Sequence, residues 1–298
     1  MKKKTQFVRS FKDFLLVVPA LFFLVLFTYY PVMDVIRIGF TNWNLIRDDY
    51  QYVGLKNWAW LLQGSGTKYL QSSLWVTTIY TAGEIVITLG GGIILALLFN
   101  KMSRGFSVMR AVVFMPRYVA MSSAAVIFLW LLNTHNGIFN YFLELMGFTR
   151  INWLGQRHTA LLSILMLTGW RTIGYGMIIY LAAIRAISPD YYEAAALDGA
   201  NGFQRFYRIT LPLLSPTTIF LFVTTFISSM KVFQSVDILT AGGPYRSTEV
   251  MVYQIYRYAM VDFRMDRAAA TAVLFFVILL AFTAITMRGS RGSVHYDS

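Results

Sequence analysis

Ser188-Pro189-Asp190-Tyr191-Tyr192-Glu193-Ala194-Ala195-Ala196-Leu197-Asp198-Gly199-Ala200, with Ile209-Thr210-Leu211-Pro212 beyond it, runs between two long apolar segments. Ser188 suits a helix N-cap and Pro189 the first helical position. Asp190 and Glu193 fall in the first turn, where negative charge complements the helix dipole. Ala194, Ala195 and Ala196 favour helix and add almost no bulk, so a partner surface can approach closely. Gly199 can take the left-handed conformation that ends a helix. A second helix is expected to start near Asn201 and run through Phe203, Phe206 and Ile209 toward Pro212. The expected product is a short helix, a sharp turn and a helix entering a membrane.

The rest of the chain supplies the membrane. Its 298 residues are 57% hydrophobic and 13% charged, which is the composition of a membrane protein. The net charge of +12 does not point to nucleic acid, because basic residues flank apolar runs instead of forming one basic face. There is no cysteine, so disulfides, Cys-based zinc sites and thiol nucleophiles are excluded. His135, His158 and His295 stand far apart, and no metal site is expected.

Six apolar runs are long enough to cross a bilayer, which takes roughly 20 helical residues. They lie at Phe14–Tyr30, Ser72–Phe99, Val108–Leu132, Ala160–Ala183, Leu213–Met230 and Ala268–Met287. The expected fold class is therefore an all-α polytopic membrane protein of six transmembrane helices. One membrane domain is expected over 14–287, with tails at 1–13 and 288–298. Lys2, Lys3, Lys4, Arg9 and Lys12 precede the first run without a small-x-small cleavage site, so an uncleaved anchor is expected, ending near Tyr29-Tyr30-Pro31. With both termini in the cytoplasm, Lys and Arg are about twice as dense on the inner side as on the outer. That orientation puts 188–212 in the cytoplasm.

Outer loops carry Trp43, Trp58, Trp60 and Tyr69, and Tyr253, Tyr256 and Tyr258, as an interfacial belt would. Val252, Tyr256 and Ala259 share one helical face, so a short interfacial helix is expected over Glu249–Met260. Gly90-Gly91-Gly92 in the second run suits close helix packing. No G-x-x-x-x-G-K-[ST] phosphate loop occurs, so the chain cannot cradle ATP itself.

Glu193-Ala194-Ala195, then Asp198-Gly199-Ala200, then Ile209, Leu211 and Pro212, resembles the signature loop of permease subunits of binding-protein-dependent ABC importers. Leu239-Thr240-Ala241-Gly242-Gly243-Pro244, with Thr248 beyond, looks like the T-x-G-G-P loop of the carbohydrate-uptake branch, the maltose and glycerol-phosphate type. The resemblance covers nearly the whole chain and implies a type I importer permease in a bacterial cytoplasmic membrane. It implies that 188–212 is the coupling loop, whose helix seats in a separate ABC ATPase that binds ATP and Mg, with Glu193 meeting a basic residue there. A second homologous permease and an extracytoplasmic solute-binding protein are the other implied partners, beside membrane lipid. The chain would be a transport subunit, not an enzyme. Its cargo would be an oligosaccharide or related sugar.

Ionisable groups inside a bilayer are costly, about 2.5–3.5 kcal/mol at a helix centre. Glu84, Arg117 and Arg171 each fall near mid-depth of their runs. Two readings stand. Glu84 forms an internal ion pair with one arginine, or at least one arginine lines a transport cavity and meets an acidic or phosphorylated group, or else many hydroxyls. By resemblance the solute path draws on Arg117 and Met121 of the third run, on Arg171, Thr172 and Tyr175 of the fourth, and on Thr225, Ser229 and Val232 of the fifth. Tyr175 would stack on a pyranose. The small hydroxyls of Thr224, Thr225, Ser228 and Ser229 would meet solute or simply bond to backbone carbonyls. Gln234 and Asp237 are candidates for the entrance. A self-sufficient secondary transporter or channel would need inverted repeats or broken helices around a midplane site, and an intramembrane enzyme would need a catalytic constellation within the runs.

Overall fold

The structure is a computed structural model that describes residues 14, 16–46 and 49–290. The terminal tails at 1–13 and 291–298, including His295, lie outside the described residues. Among the described residues the chain is helical, with one isolated bridge, Thr41 to Tyr52, as its extended pairing.

Four helices are long and apolar enough to cross a bilayer without a break: Leu16–Ile38, Gly66–Leu98, Arg157–Ala186 and Met265–Thr286. The third expected run is not a single helix, and the fifth forms as Ser215–Met230 with a bend at its start. Arg104–Tyr118 and Met121–Leu131 meet at 103°, and Gly202–Leu213 and Ser215–Met230 at 62°. Counting each bent pair as one crossing gives six spans.

Proline chemistry explains these departures. Pro116 has no N–H to continue the helix, and Met115–Tyr118 tightens into a 3-10 turn. Val119 and Ala120 then run extended before Met121 restarts the helix. Pro212 and Pro216 flank the second bend at Leu214. In the first span Tyr29-Tyr30-Pro31 is not an end. A π-helical stretch at Val25–Tyr29 precedes the proline, and the helix continues to Ile38.

The chain divides into two compact units. One comprises residues up to Lys68 together with Ile255–Phe276. In it Asn57 Nδ2 donates to the carbonyls of Gly39 and Thr41, pinning the loop after the first span. Trp60 packs edge-on to Tyr258 and carries Arg267 over its ring at 4.0 Å. Asp266, almost fully buried, is held by Arg264 at 2.7 Å. The second unit comprises Tyr69–Gln254 and residues from Val277 onward. One of its cores gathers Tyr80, Phe128, Leu132, Ile164, Leu167 and Val236. Another gathers Ala96, Met177, Tyr180, Leu181, Leu214 and Leu221.

Glycines set the approach of the second and fourth spans. A Cβ on Gly92 would come 2.8 Å from the backbone of Gly176, and one on Gly176 would overlap the Thr88 carbonyl. The expected packing role of the glycine triplet thus holds for Gly91 and Gly92, while Gly90 faces open space. The helix expected over Glu249–Met260 forms as Met251–Tyr256 with a π-helical continuation at Arg257–Val261. Of the expected face, Ala259 is buried, Val252 half-buried and Tyr256 exposed, while Tyr253, Gln254 and Tyr258 are buried.

Candidate functional site

The 188–212 segment folds by its own end chemistry. Ser188 Oγ accepts from the Asp190 amide and opens a helix over Pro189–Leu197. Gly199 lies at φ 77°, and the amides of Ala200 and Gly199 reach back to the carbonyls of Ala195 and Ala196. This is the paired hydrogen-bond stop that a left-handed residue permits. Asn201 and Gln204 then form a reciprocal capping box, and the chain turns through a π-helical stretch at Phe206–Thr210 into Leu211–Leu213. Tyr192 Oη and Thr210 Oγ1, 2.9 Å apart, tie the two arms together. Glu193, Ala194, Asp198, Leu211 and Pro212 are exposed, and Ala195 and Ile209 half-buried. Leu197 is 91% exposed and Phe203 75%, so the segment shows an apolar surface beside its acidic one.

A cavity of about 310 Å³ lies between the spans of the second unit. Glu84, Arg117, Met121, Arg171, Thr172, Ser229 and Val232 line it, bringing together the second, third, fourth and fifth expected runs and the start of the loop after the fifth. Two expected path residues are not on its wall. Thr225 sits one turn deeper than Ser229, buried in the helix packing. Tyr175 lies behind Arg117, whose guanidinium stands 4.9 Å from the centre of its ring, so the face expected for a sugar holds a cation instead.

The two charge types in the cavity are held differently. Glu84 is 4% exposed, and its carboxylate accepts from Thr168 Oγ1 and Thr172 Oγ1, each at 2.7 Å. Thr88 Oγ1 donates on to Thr172 at 3.1 Å. Both carboxyl oxygens meet threonine hydroxyls, so the threonines and not an arginine anchor Glu84. The expected ion pair between Glu84 and an arginine does not form among the described residues.

Arg171 instead holds the break in the third span. Its Nη2 donates to Val119 O at 2.8 Å and Arg117 O at 3.3 Å, and Nη1 reaches Met121 Sδ at 3.6 Å. Pro116 O accepts the Val119 amide, while Arg117 O and Val119 O lie at and beyond the helix end, where carbonyls lack intrahelical partners and a cation also meets the dipole. One planar guanidinium with five donors serves several of these groups at once.

Tyr80, Thr168, Lys231, Phe233 and Ser235 also line the cavity, and sequence reasoning passed over them. The signal for two was available: Tyr80 precedes Glu84, and Thr168 precedes Thr172, by one helical turn on the same face. Gln234 lines the wall and Asp237 does not. Ser228 is on the wall, but its hydroxyl donates to Thr225 O, as Ser229 donates to Phe226 O. The hydroxyls of the fifth span thus give their protons to their own helix and keep acceptor lone pairs for the cavity. Among the described residues no group of three or more His, Cys, Asp or Glu side chains is placed to hold a metal ion.

Comparison with known proteins agrees over most of the chain. The family described as "Binding-protein-dependent transport system inner membrane component" matches residues 88–289. The sn-glycerol-3-phosphate transport system permease protein UgpA of Agrobacterium fabrum is 31% identical over 97% of this chain and 98% of its own. The trehalose/maltose transport system permease protein MalF of Thermococcus litoralis is 30% identical over 98% of this chain and 97% of its own. A chain in the crystal structure of a bacterial alginate ABC transporter in complex with alginate pentasaccharide-bound periplasmic protein superposes with a TM-score of 0.83, at 25% identity and 96% coverage of each. A chain whose described residues are helical, with four helices long and apolar enough to cross a membrane and this extent of match, belongs to the inner-membrane permease components of binding-protein-dependent ABC transport systems.

Proposed function

We propose that this chain is one of two permease subunits of an importer that passes an oligosaccharide or related sugar across the cytoplasmic membrane, driven by a separate ATPase docked on 188–212. The single observation that carries the coupling role is the Pro189–Leu197 helix. It is capped at both ends, it sits between two span-forming segments, and Leu197 stands 91% exposed at its end. An apolar side chain held rigidly in solvent suits a partner groove, and the alanines let the backbone approach that groove closely. Glu193 and Asp198 on the same short helix suit a basic rim.

ATP and its Mg belong to the partner, since this sequence has no phosphate loop. Both termini and the coupling loop face the cytoplasm, and the chain crosses the membrane six times, each bent pair counting as one. The relatives named for trehalose/maltose and for sn-glycerol-3-phosphate transport support a carbohydrate or polyol cargo. The alginate transporter solved with its periplasmic protein supports a binding protein as the delivering partner. A broken helix beside a midplane site is also how secondary transporters are built, but the family match weighs for a component of a multi-subunit system.

The deciding experiment is purification of the tagged chain from its native membrane, followed by reconstitution. An ATPase and a sister permease are expected to co-purify, and ATP to drive sugar accumulation. Glu193→Ala and Gly199→Pro are expected to cut uptake while the chain still inserts. Normal ATP-driven uptake in both variants would overturn the coupling assignment.

A further inference from the structure

We infer that the cavity binds its solute through a negatively charged group, taken by Arg117 and Lys231, so that the cargo is a carboxylate- or phosphate-bearing sugar or polyol. The inference rests on the permease reading above and narrows its substrate class.

The cavity wall carries one carboxyl and three basic side chains: Glu84, Arg117, Arg171 and Lys231. Three cations stand against one carboxylate, so the site is positive whether or not Glu84 carries its charge. The two inner groups are already occupied. Both oxygens of Glu84 accept threonine hydroxyls, and Arg171 donates to the carbonyls at the third-span break. The two outer cations are not. Arg117 and Lys231 are exposed, and neither side chain has a hydrogen-bond or ion-pair partner among the described residues. Tyr175 braces Arg117 from behind at 4.9 Å and leaves its N–H edge free.

Arg117 falls near mid-depth of its run, where a cation without a counter-charge is costly and faces water or a substrate path, and Lys231 stands at the end of the fifth run, on the same cavity wall. An entering oxyanion offsets that cost, whereas a neutral sugar leaves it standing. A positive concave site between low-dielectric walls also concentrates anions before they bind. Arginine offers a planar fork and lysine a compact point charge, a pair that serves carboxylate and phosphate alike. Beside them the lone pairs of Ser228 and the amide of Gln234 can meet hydroxyls.

The test uses the purified complex with its binding protein in proteoliposomes. An equimolar mixture of oligoalginate, sn-glycerol 3-phosphate and maltotriose is offered with ATP, and lumenal contents are read by mass spectrometry. Accumulation of an anionic probe over maltotriose is expected, and the two anions distinguish a carboxylate from a phosphate cargo. Lys231→Gln and Arg117→Gln are each expected to lower the anion-to-neutral uptake ratio about tenfold, and Arg117→Lys to restore part of it. Uptake of maltotriose alone overturns the inference and leaves the permease reading intact. So does an equal fall for charged and neutral probes, which would show that the cations pair with the sister permease. Absence of ATP-driven uptake of any probe by the intact complex removes the sugar-importer reading itself. Should the Arg117 variants fail to assemble, Lys231→Gln at its exposed position carries the same ratio test.

Discussion

In the 188–212 segment, almost every bond that sets the shape closes within a few residues: Ser188 to Asp190, Ala200 to Ala195, Asn201 to Gln204. The widest, Tyr192 to Thr210, spans 18 residues. In the cavity the defining bonds span 52 residues from Arg171 to Val119, 84 from Thr168 to Glu84 and 88 from Thr172 to Glu84. A segment built on local bonds keeps its shape whatever the spans do, which suits a rigid element pushed from outside. A site built on distant bonds exists only while the spans hold one arrangement. That is what a cavity needs if it is to open and close with them.

Equivalent glycine substitutions in the two regions are expected to part most widely. Gly176→Leu drives a side chain into the Thr88 carbonyl, and backbone cannot rotate away as a side chain can. Overpacking of this kind costs about 3 kcal/mol or more and separates the two spans that carry the Glu84 bonds. We expect loss of monodisperse protein in size-exclusion chromatography. Gly199→Leu meets nothing within 4 Å and carries only the left-handed strain, about 1–2 kcal/mol. It is expected to remain monodisperse with impaired uptake. Equal behaviour of the two would refute the distinction.

Arg171 comes next. Arg171→Gln removes the donors from the carbonyls of Arg117 and Val119 and leaves them inside the membrane, at about 2–3 kcal/mol. A lowered melting temperature in detergent is expected, with the loss of order centred on the 103° break and visible as faster hydrogen exchange in Met115–Met121. An unchanged melting curve would return Arg171 to the solute path.

The same contrast governs what the sequence could reveal. Ser188, Gly199 and the alanine run announce a helix and its two ends, because capping is written in neighbouring residues. The four unbroken apolar helices, and the meeting of Glu84, Arg117 and Arg171 in one cavity, were also legible, since charge inside a bilayer must turn inward. The partners of those charges were not. Arg171 binds carbonyls, which have no side-chain identity, and they are free because the helix ends at Tyr118. Pro116 stood in plain view inside an apolar run and marked the break that the run's hydropathy concealed. Thr168 and Tyr80 lacked any charge to draw attention, and only their one-turn spacing to Thr172 and Glu84 pointed at the cavity.

Additivity gives a finer comparison. Thr168→Val and Thr172→Val each remove one donor from the same carboxylate. After the first loss the remaining hydroxyl carries the buried charge alone, so the second loss is expected to cost more than the first. The coupling energy from a double-mutant cycle in thermal unfolding is expected near 1 kcal/mol. A value indistinguishable from zero would mean that Glu84 is solvated from the cavity side and needs neither.

The smallest effect lies at the ends of the Pro189–Leu197 helix. Ser188→Ala removes the N-cap acceptor and Gly199→Ala places a Cβ at φ 77°, each costing about 1 kcal/mol. The two positions share no bond and sit at opposite ends of the helix. Their costs are therefore expected to add within about 0.5 kcal/mol. Amide exchange across Pro189–Leu197 reads this directly: roughly fivefold faster in each single variant and about 25-fold in the double. A double variant that exchanges no faster than either single one would show that the helix already frays as a unit. Its rigidity would then have to come from the docked partner and not from its own caps.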